Sequence, residues 1–153
     1  MLYTDMTKKA MVLAYKAHHG QVDKGGTPYI FHPVHLAEQL FWCEIRTCVA
    51  LLHDTKEDCG LTDADLREAG MCEEVIDAVS LLTRPKGMDY GEYIIRIRDS
   101  KNRYARDVKV EDLTHNMKEN RLPESDHTPE RTVEKYKKAL KTLTEVYPTS
   151  PLL

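Results

Sequence analysis

The 153-residue sequence has no apolar run near the ~18 residues that a membrane-spanning helix requires, so no membrane segment is expected. Positive charge is not in excess. The 22 Lys and Arg are set against 25 Asp and Glu, and the formal net charge of −3 opposes binding to a nucleic-acid backbone. Its four cysteines, Cys43, Cys48, Cys59 and Cys72, contain no C-x-x-C pair, which argues against a zinc ribbon or a thioredoxin-type redox site. They are expected to be reduced and to serve as small buried hydrophobes. The opening MLYTDMTKKA lacks the apolar region of a secretory signal, so a reducing, cytoplasmic location is expected. Internal repeats, low-complexity stretches and strand-like alternation are also missing or nearly so. With 31% charged and 41% hydrophobic residues, the expectation is one globular all-α domain over 1–153.

What is present is helical periodicity. Met11, Leu13, Ala14 and Ala17 recur at three- and four-residue spacing and predict a first helix, with Thr4 or Asp5 as its cap and Gly20 as its stop. GQVDKGGTPYIFHP then gathers glycine and proline into a loop, in which PYIF could make a brief extended piece. Pro33 suits the first turn of a helix, which puts His32 at or just before its N-terminus. CVALLHDTKEDC predicts a helix running to Gly60, and Thr62 is a cap for a short helix in DADLREAG. CEEVIDAVSLLT is helical, YGEYIIRIRDS is a helix with a strand as the alternative, and 102–117 is helical despite Val108 and Val110. A proline-containing loop at 120–130, the one plausible hinge, precedes a last helix in RTVEKYKKALKTLTEVY, and the tail PTSPLL is expected to fray.

The segment LLHDTKEDC raises a question of its own, because an apolar helix suddenly carries His53, Asp54, Glu57 and Asp58. At 100° per residue those four side chains share an arc of roughly 140°. Asp54 and Asp58 are like charges at i,i+4, and a partly buried carboxylate requires either a proton or a cation nearby. A divalent metal answers that need, and so does a basic side chain. Asp112, inside the apolar helix of VEDLTHN, poses the same question. His32, His53, Asp54 and Asp112 form a mixed nitrogen and oxygen set suited to manganese, iron or zinc.

AHHGQVDKGGTPYIFHP, LLHDTKED and VKVEDLTHNM, in that order and at those separations, resemble the HD hydrolase domain of the RelA/SpoT proteins, including its small stand-alone forms. The resemblance covers roughly residues 7–146. It implies an all-helical HD bundle and a metal-dependent phosphohydrolase, commonly with Mn2+, that removes the 3′-pyrophosphate from guanosine tetra- or pentaphosphate. It also implies His32, His53, Asp54 and Asp112 as metal ligands, and Glu57 and Asp58 as the pair that activates or orients water. Lys24 matches a loop lysine that contacts phosphate, and Asn116 matches a residue able to hydrogen-bond the nucleotide.

Each assignment has a plainer alternative. Glu57 could hold the His53 ring, Asp58 could cap a turn, Lys24 could be a solvated loop lysine and Asn116 a helix-end cap. His18, His35 and His115 are expected to be structural, and His19 and His127 exposed. The long family members carry an arginine before that lysine, where this chain has Asp23, and a serine after it, where this chain has Gly25. A carboxylate cannot stack on a base as a guanidinium does, although Asp23 could accept hydrogen bonds from a base edge. Another small phosphorylated nucleotide therefore stands as an alternative substrate, and a non-catalytic nucleotide sensor as an alternative of another class. At 153 residues no room is expected for a synthetase domain. The expected partner is a small nucleotide, with no nucleic acid and no membrane.

Overall fold

A computed structural model describes residues 1–118 and 129–145. Among these residues it contains nine α-helices and no strand: α1 (Asp5–Ala17), α2 (Phe31–Gln39), α3 (Glu44–Leu52), α4 (Thr55–Cys59), α5 (Asp63–Glu68), α6 (Glu73–Leu82), α7 (Tyr90–Asp99), α8 (Arg103–Asn116) and α9 (Pro129–Glu145). The all-α class expected from the periodicity, and the helical bundle that the resemblance implies, are the fold observed. None of the helices described is long and apolar enough to cross a membrane.

The bundle is organised around α3. Every residue from Thr47 to Leu52 is buried, because the helix packs against α1, α2, α6 and α8 and has no polar face left for water. The surrounding helices contribute Ala10, Leu36, Val75, Val79, Ile97 and Val108 to the same core. Several helix starts follow from their caps. Thr4 accepts from the Thr7 amide while the Thr7 hydroxyl accepts from the Thr4 amide, a reciprocal arrangement repeated by Thr62 and Asp65 at α5. Asn102 accepts from the Ala105 amide at the start of α8. YGEYIIRIRDS is helical, since its buried Tyr93, Ile94 and Ile97 fall on one face of α7.

Two local expectations are corrected. Of PYIF only Pro28 is extended; the Phe31 amide donates to Pro28 O and the His32 amide to Tyr29 O, and these turn bonds through Tyr29 and Ile30 start α2 at Phe31. His32 therefore lies inside the first turn, while Pro33 still sits where a missing N–H costs nothing. The extended pair in this loop is the isolated bridge between Val22 and Pro28.

The second correction concerns LLHDTKEDC, which is not one helix. His53 Nδ1 lies 2.7 Å from the Ala50 carbonyl and the Thr55 hydroxyl donates to the Leu52 carbonyl at 2.7 Å. These side chains take carbonyls at the end of α3, and Asp54, at φ −102° and ψ −2°, turns the chain into α4. Gly60, at φ 72°, ends α4 in the left-handed conformation. The four polar residues thus do not share a helical face: His53 and Asp54 occupy the turn, and the exposed Glu57 and Asp58 lie on the short helix after it.

Helix α9 starts at Pro129, two residues before the expected Arg131. Most of the 120–130 loop, with His127, and the tail from Val146 onward lie outside the described residues.

Candidate metal centre

Three chain segments converge beside α3: the first turn of α2 brings His32, the α3–α4 turn brings His53 and Asp54, and α8 brings Asp112. Ligand atoms of His32, His53 and Asp54 all lie within 4.8 Å of one another, close enough to hold one metal ion. Asp112 adjoins this trio, with Oδ1 3.0 Å from His32 Nε2 and 3.8 Å from His53 Nε2. The site is buried: His32 and His53 are 2% and 3% exposed, and Asp112 is 5% exposed.

The His53 ring carries the clearest chemical information. A carbonyl only accepts, so the contact with Ala50 O puts a proton on Nδ1 and leaves the lone pair of the neutral ring on Nε2. Nε2 is buried and has no hydrogen bond among the described residues. It lies 2.9 Å from Asp54 Oδ2, close in distance but wrong in direction for a hydrogen bond. A bare imidazole nitrogen beside two carboxylates is costly unless a cation or a proton occupies the space between them. The residues present fit a divalent metal on this donor set.

Without a metal, protons must serve instead. Burial works against a charged His53, but the Asp54 and Asp112 charges outweigh it and push its pKa up to about 9. Burial likewise opposes an ionised Asp54, yet the His53 charge, aided by the hydrogen bond donated by the Tyr29 hydroxyl, holds it down at about 2. Asp112 is held well below the usual carboxylate range. Burial favours its neutral form, and the Lys109 ammonium and the His32 hydrogen bond prevail.

Lys109 and Tyr29 are two residues that sequence reasoning missed. Lys109 Nζ donates to Asp112 Oδ2 at 2.7 Å from a side chain only 13% exposed, and lies 5.3 Å from the Tyr93 ring centre. Its signal was the i,i+3 spacing of Lys109 and Asp112 within VKVED, so a basic side chain is indeed part of the answer to the buried carboxylates. Tyr29, in the loop before α2, had no signal beyond its place near His32.

A cavity of about 80 Å³ opens beside the centre, lined by His53, Asp54, Glu57, Arg84, Lys109 and Asp112 together with Tyr90 and Tyr93. It is far smaller than the ~300–1,000 Å³ typical of a whole-ligand pocket, so it suits a phosphoryl group rather than an entire nucleotide. Arg84 was not singled out in the sequence. Its amide donates to Glu57 Oε1 at 3.1 Å and its guanidinium lies 5.8 Å from the Tyr90 ring centre. The buried Tyr90 hydroxyl has no hydrogen-bond partner among the described residues.

The remaining candidates divide. Glu57 faces the cavity, and burial and then the Asp54 charge raise its pKa; the same two causes raise that of Asp58. Asn116 does not cap the helix end; its amide nitrogen donates to Asp112 Oδ1 at 2.8 Å. Asp23 Oδ1 accepts from the Gly25 and Thr27 amides and so shapes its own loop, while Lys24 is exposed there. His18 is buried against Gln21, Cys59 and the Tyr29 ring. His19 is exposed. His115, expected to be structural, touches the centre directly, with its Nδ1 2.7 Å from His32 Nδ1.

Comparison with known proteins adds the lineage. A Vibrio cholerae protein named guanosine-3′,5′-bis(diphosphate) 3′-pyrophosphohydrolase is 39% identical over 92 residues, covering 56% of this chain and 13% of its own length. A GTP pyrophosphokinase of Myxococcus xanthus is 32% identical over 130 residues, 74% of this chain and 17% of its own. The bifunctional (p)ppGpp synthase/hydrolase SpoT of Escherichia coli K12 is 32% identical over 122 residues, 72% of this chain and 17% of its own. The chain belongs to the RelA/SpoT family. It spans less than a fifth of the length of these curated relatives, and their names cover both making and hydrolysing the nucleotide. No family model matches the chain.

Proposed function

We propose that this chain is a metal-dependent phosphohydrolase that removes the 3′-pyrophosphate from (p)ppGpp, giving GDP or GTP and pyrophosphate. The observation that carries the proposal is the bare, buried Nε2 of His53 set between Asp54, Asp112 and His32, a donor set that supports a metal-activated water. The relatives named as 3′-pyrophosphohydrolases support the same direction.

His32, His53, Asp54 and Asp112 hold the cation; the mixed nitrogen and oxygen set suits manganese, iron or zinc, and the family resemblance favours Mn2+. When bound, the metal supplies a Lewis acid for the phosphoryl oxygens and makes water a competent nucleophile near neutral pH. Glu57 and Asp58, with pKa values raised by burial and by Asp54, accept the proton of the attacking water. Oxygen attacks phosphorus, the bond from phosphorus to the ribose 3′-oxygen breaks, and that oxygen leaves with the proton that the Glu57 and Asp58 pair took from the water. Arg84 and Lys109 bring positive charge to the phosphates in the cavity, and Tyr29 fixes the orientation of Asp54. Lys24, exposed on its loop outside the cavity, is available to a phosphate, and Asn116, held on Asp112, orients that metal ligand.

A second reading keeps the chemistry and changes the nucleotide. It is favoured by Asp23, whose carboxylate is engaged with its own loop amides where the long family members carry arginine. A phosphate-release screen over nucleotides with Mn2+-loaded protein tests both. Pyrophosphate from ppGpp supports the first reading, and turnover of another nucleotide with ppGpp untouched replaces it by the second. Tight ppGpp binding without product after long incubation would establish a sensor and sink both.

A further inference from the structure

We propose that His115 is a positioning residue for the metal centre: it accepts the Nδ1 proton of His32 and thereby holds that ring with a bare Nε2 turned to the cation. The inference rests on the metal reading above and extends it to a residue outside the ligand set.

The geometry imposes a proton count. His32 Nδ1 and His115 Nδ1 are 2.7 Å apart, so one of the two nitrogens carries a proton and the other accepts it. On its other side, His32 Nε2 lies 3.0 Å from Asp112 Oδ1. An ionised carboxylate only accepts, so in the metal-free protein His32 carries a proton on Nε2; with the ring neutral, His115 Nδ1–H is then the donor between the rings. To hold a cation, His32 must present Nε2 without a proton. Its single proton then resides on Nδ1, and His115 must accept there and carry its own proton on Nε2. The bookkeeping closes without net change on these two rings: the proton between them moves from His115 to His32, His32 Nε2 gives one up to solvent, and His115 Nε2 takes one.

An imidazole can serve in both states because either nitrogen can be donor or acceptor. The position of the ring is fixed independently. His35, one turn after His32 on α2, stacks on His115 at 4.0 Å between centroids and 20° between planes. His115 in turn lies nearly parallel to His32, at 7° and 5.0 Å. His115 follows Asp112 by three residues on α8, so the helix that supplies one ligand also steadies another. Outer partners of this kind are worth roughly 10- to 100-fold in metal affinity.

The test uses the full chain and Mn2+ alone, titrated by calorimetry, with folding checked by circular dichroism. His115→Phe keeps a ring against His35 and removes the acceptor, and is expected to weaken Mn2+ binding about 10- to 100-fold. His115→Gln restores an acceptor oxygen and is expected to recover most of that loss. On wild-type protein loaded with diamagnetic Zn2+, nitrogen-15 NMR of the histidine rings is expected to show a proton on His32 Nδ1 and none on His115 Nδ1. Asp54→Asn serves as the control for the site itself. Weakened binding in Asp54→Asn with wild-type affinity in His115→Phe overturns the role of His115 alone. Unchanged affinity in Asp54→Asn overturns the metal reading and this inference with it. A proton on His115 Nδ1 in the Zn2+-loaded wild type overturns the inference without recourse to any variant.

Discussion

Metal binding at the centre should be visible as folding stability, and Asp54 is the residue that tests it most sharply. A ligand that binds only the folded state adds RT ln(1 + [L]/Kd), which is about 2.7 kcal/mol at a hundredfold excess over Kd. For a chain of 153 residues, about 2–4 °C in Tm accompanies each kcal/mol, so the wild-type protein should gain roughly 5–11 °C with Mn2+ and lose it with chelator. Asp54→Asn keeps an oxygen to accept from Tyr29 but removes the charge 2.9 Å from His53 Nε2. Losing a direct ligand should weaken the metal by at least about 100-fold, since even outer partners are worth up to that much. At the same Mn2+ concentration the excess over Kd falls to about one, and the stabilisation to about 0.4 kcal/mol, or about 1–2 °C. Differential scanning fluorimetry with and without Mn2+ reads both numbers. A full wild-type shift in Asp54→Asn would refute the assignment of the centre, whatever the enzyme's activity.

Three further outcomes follow from named contacts. Glu57→Gln retains an oxygen for the Arg84 amide and leaves the ligands alone, so kcat for pyrophosphate release should drop about 10²- to 10⁴-fold with unchanged Mn2+ affinity; wild-type turnover would remove Glu57 from the water-activating role. Lys109→Met leaves Asp112 buried without its ammonium, and should cost the metal-free protein about 3 kcal/mol in urea unfolding, with Mn2+ restoring more stability than it adds to the wild type. Equal metal-free stability would contradict the pairing. For pH, His53 is raised from 6.5 to about 9 in the metal-free fold, so its contribution is fully present below pH 6.5 and is lost as pH rises through 9. Asp54 is lowered from 3.8 to about 2, so its contribution is present above pH 3.8 and is lost as pH falls through 2. Metal-free Tm should therefore decline from pH 6.5 to 9 in wild type more than in His53→Gln, and parallel curves would refute the pairing of His53 with Asp54.

Legibility in the sequence followed the range of the interactions involved. Helices α1, α5, α6 and α8 were legible because their signals are local: three- and four-residue apolar spacing and, for α1 and α5, the capping side chains of Thr4 and Thr62. The break at His53 and Asp54 was not, because the periodicity of CVALLHDTKEDC continues through it. The turn depends on side-chain bonds from His53 and Thr55 to carbonyls of the preceding helix, and on the α1, α2, α6 and α8 packing that seals α3.

The sequence by itself determined the helical class, the kinds of donor available and, through three ordered motifs, the family resemblance now matched by the relatives. Those are properties of composition and short spacing. Only the tertiary structure decided which donors meet. It brings His32 and Asp112, eighty residues apart, to 3.0 Å, leaves His53 Nε2 bare between carboxylates, sets Lys109 on Asp112, and places His115 against His32. The reason is physical: spacing orders side chains along one element, whereas the distance between elements depends on how α2, α3 and α8 bury their apolar faces against one another.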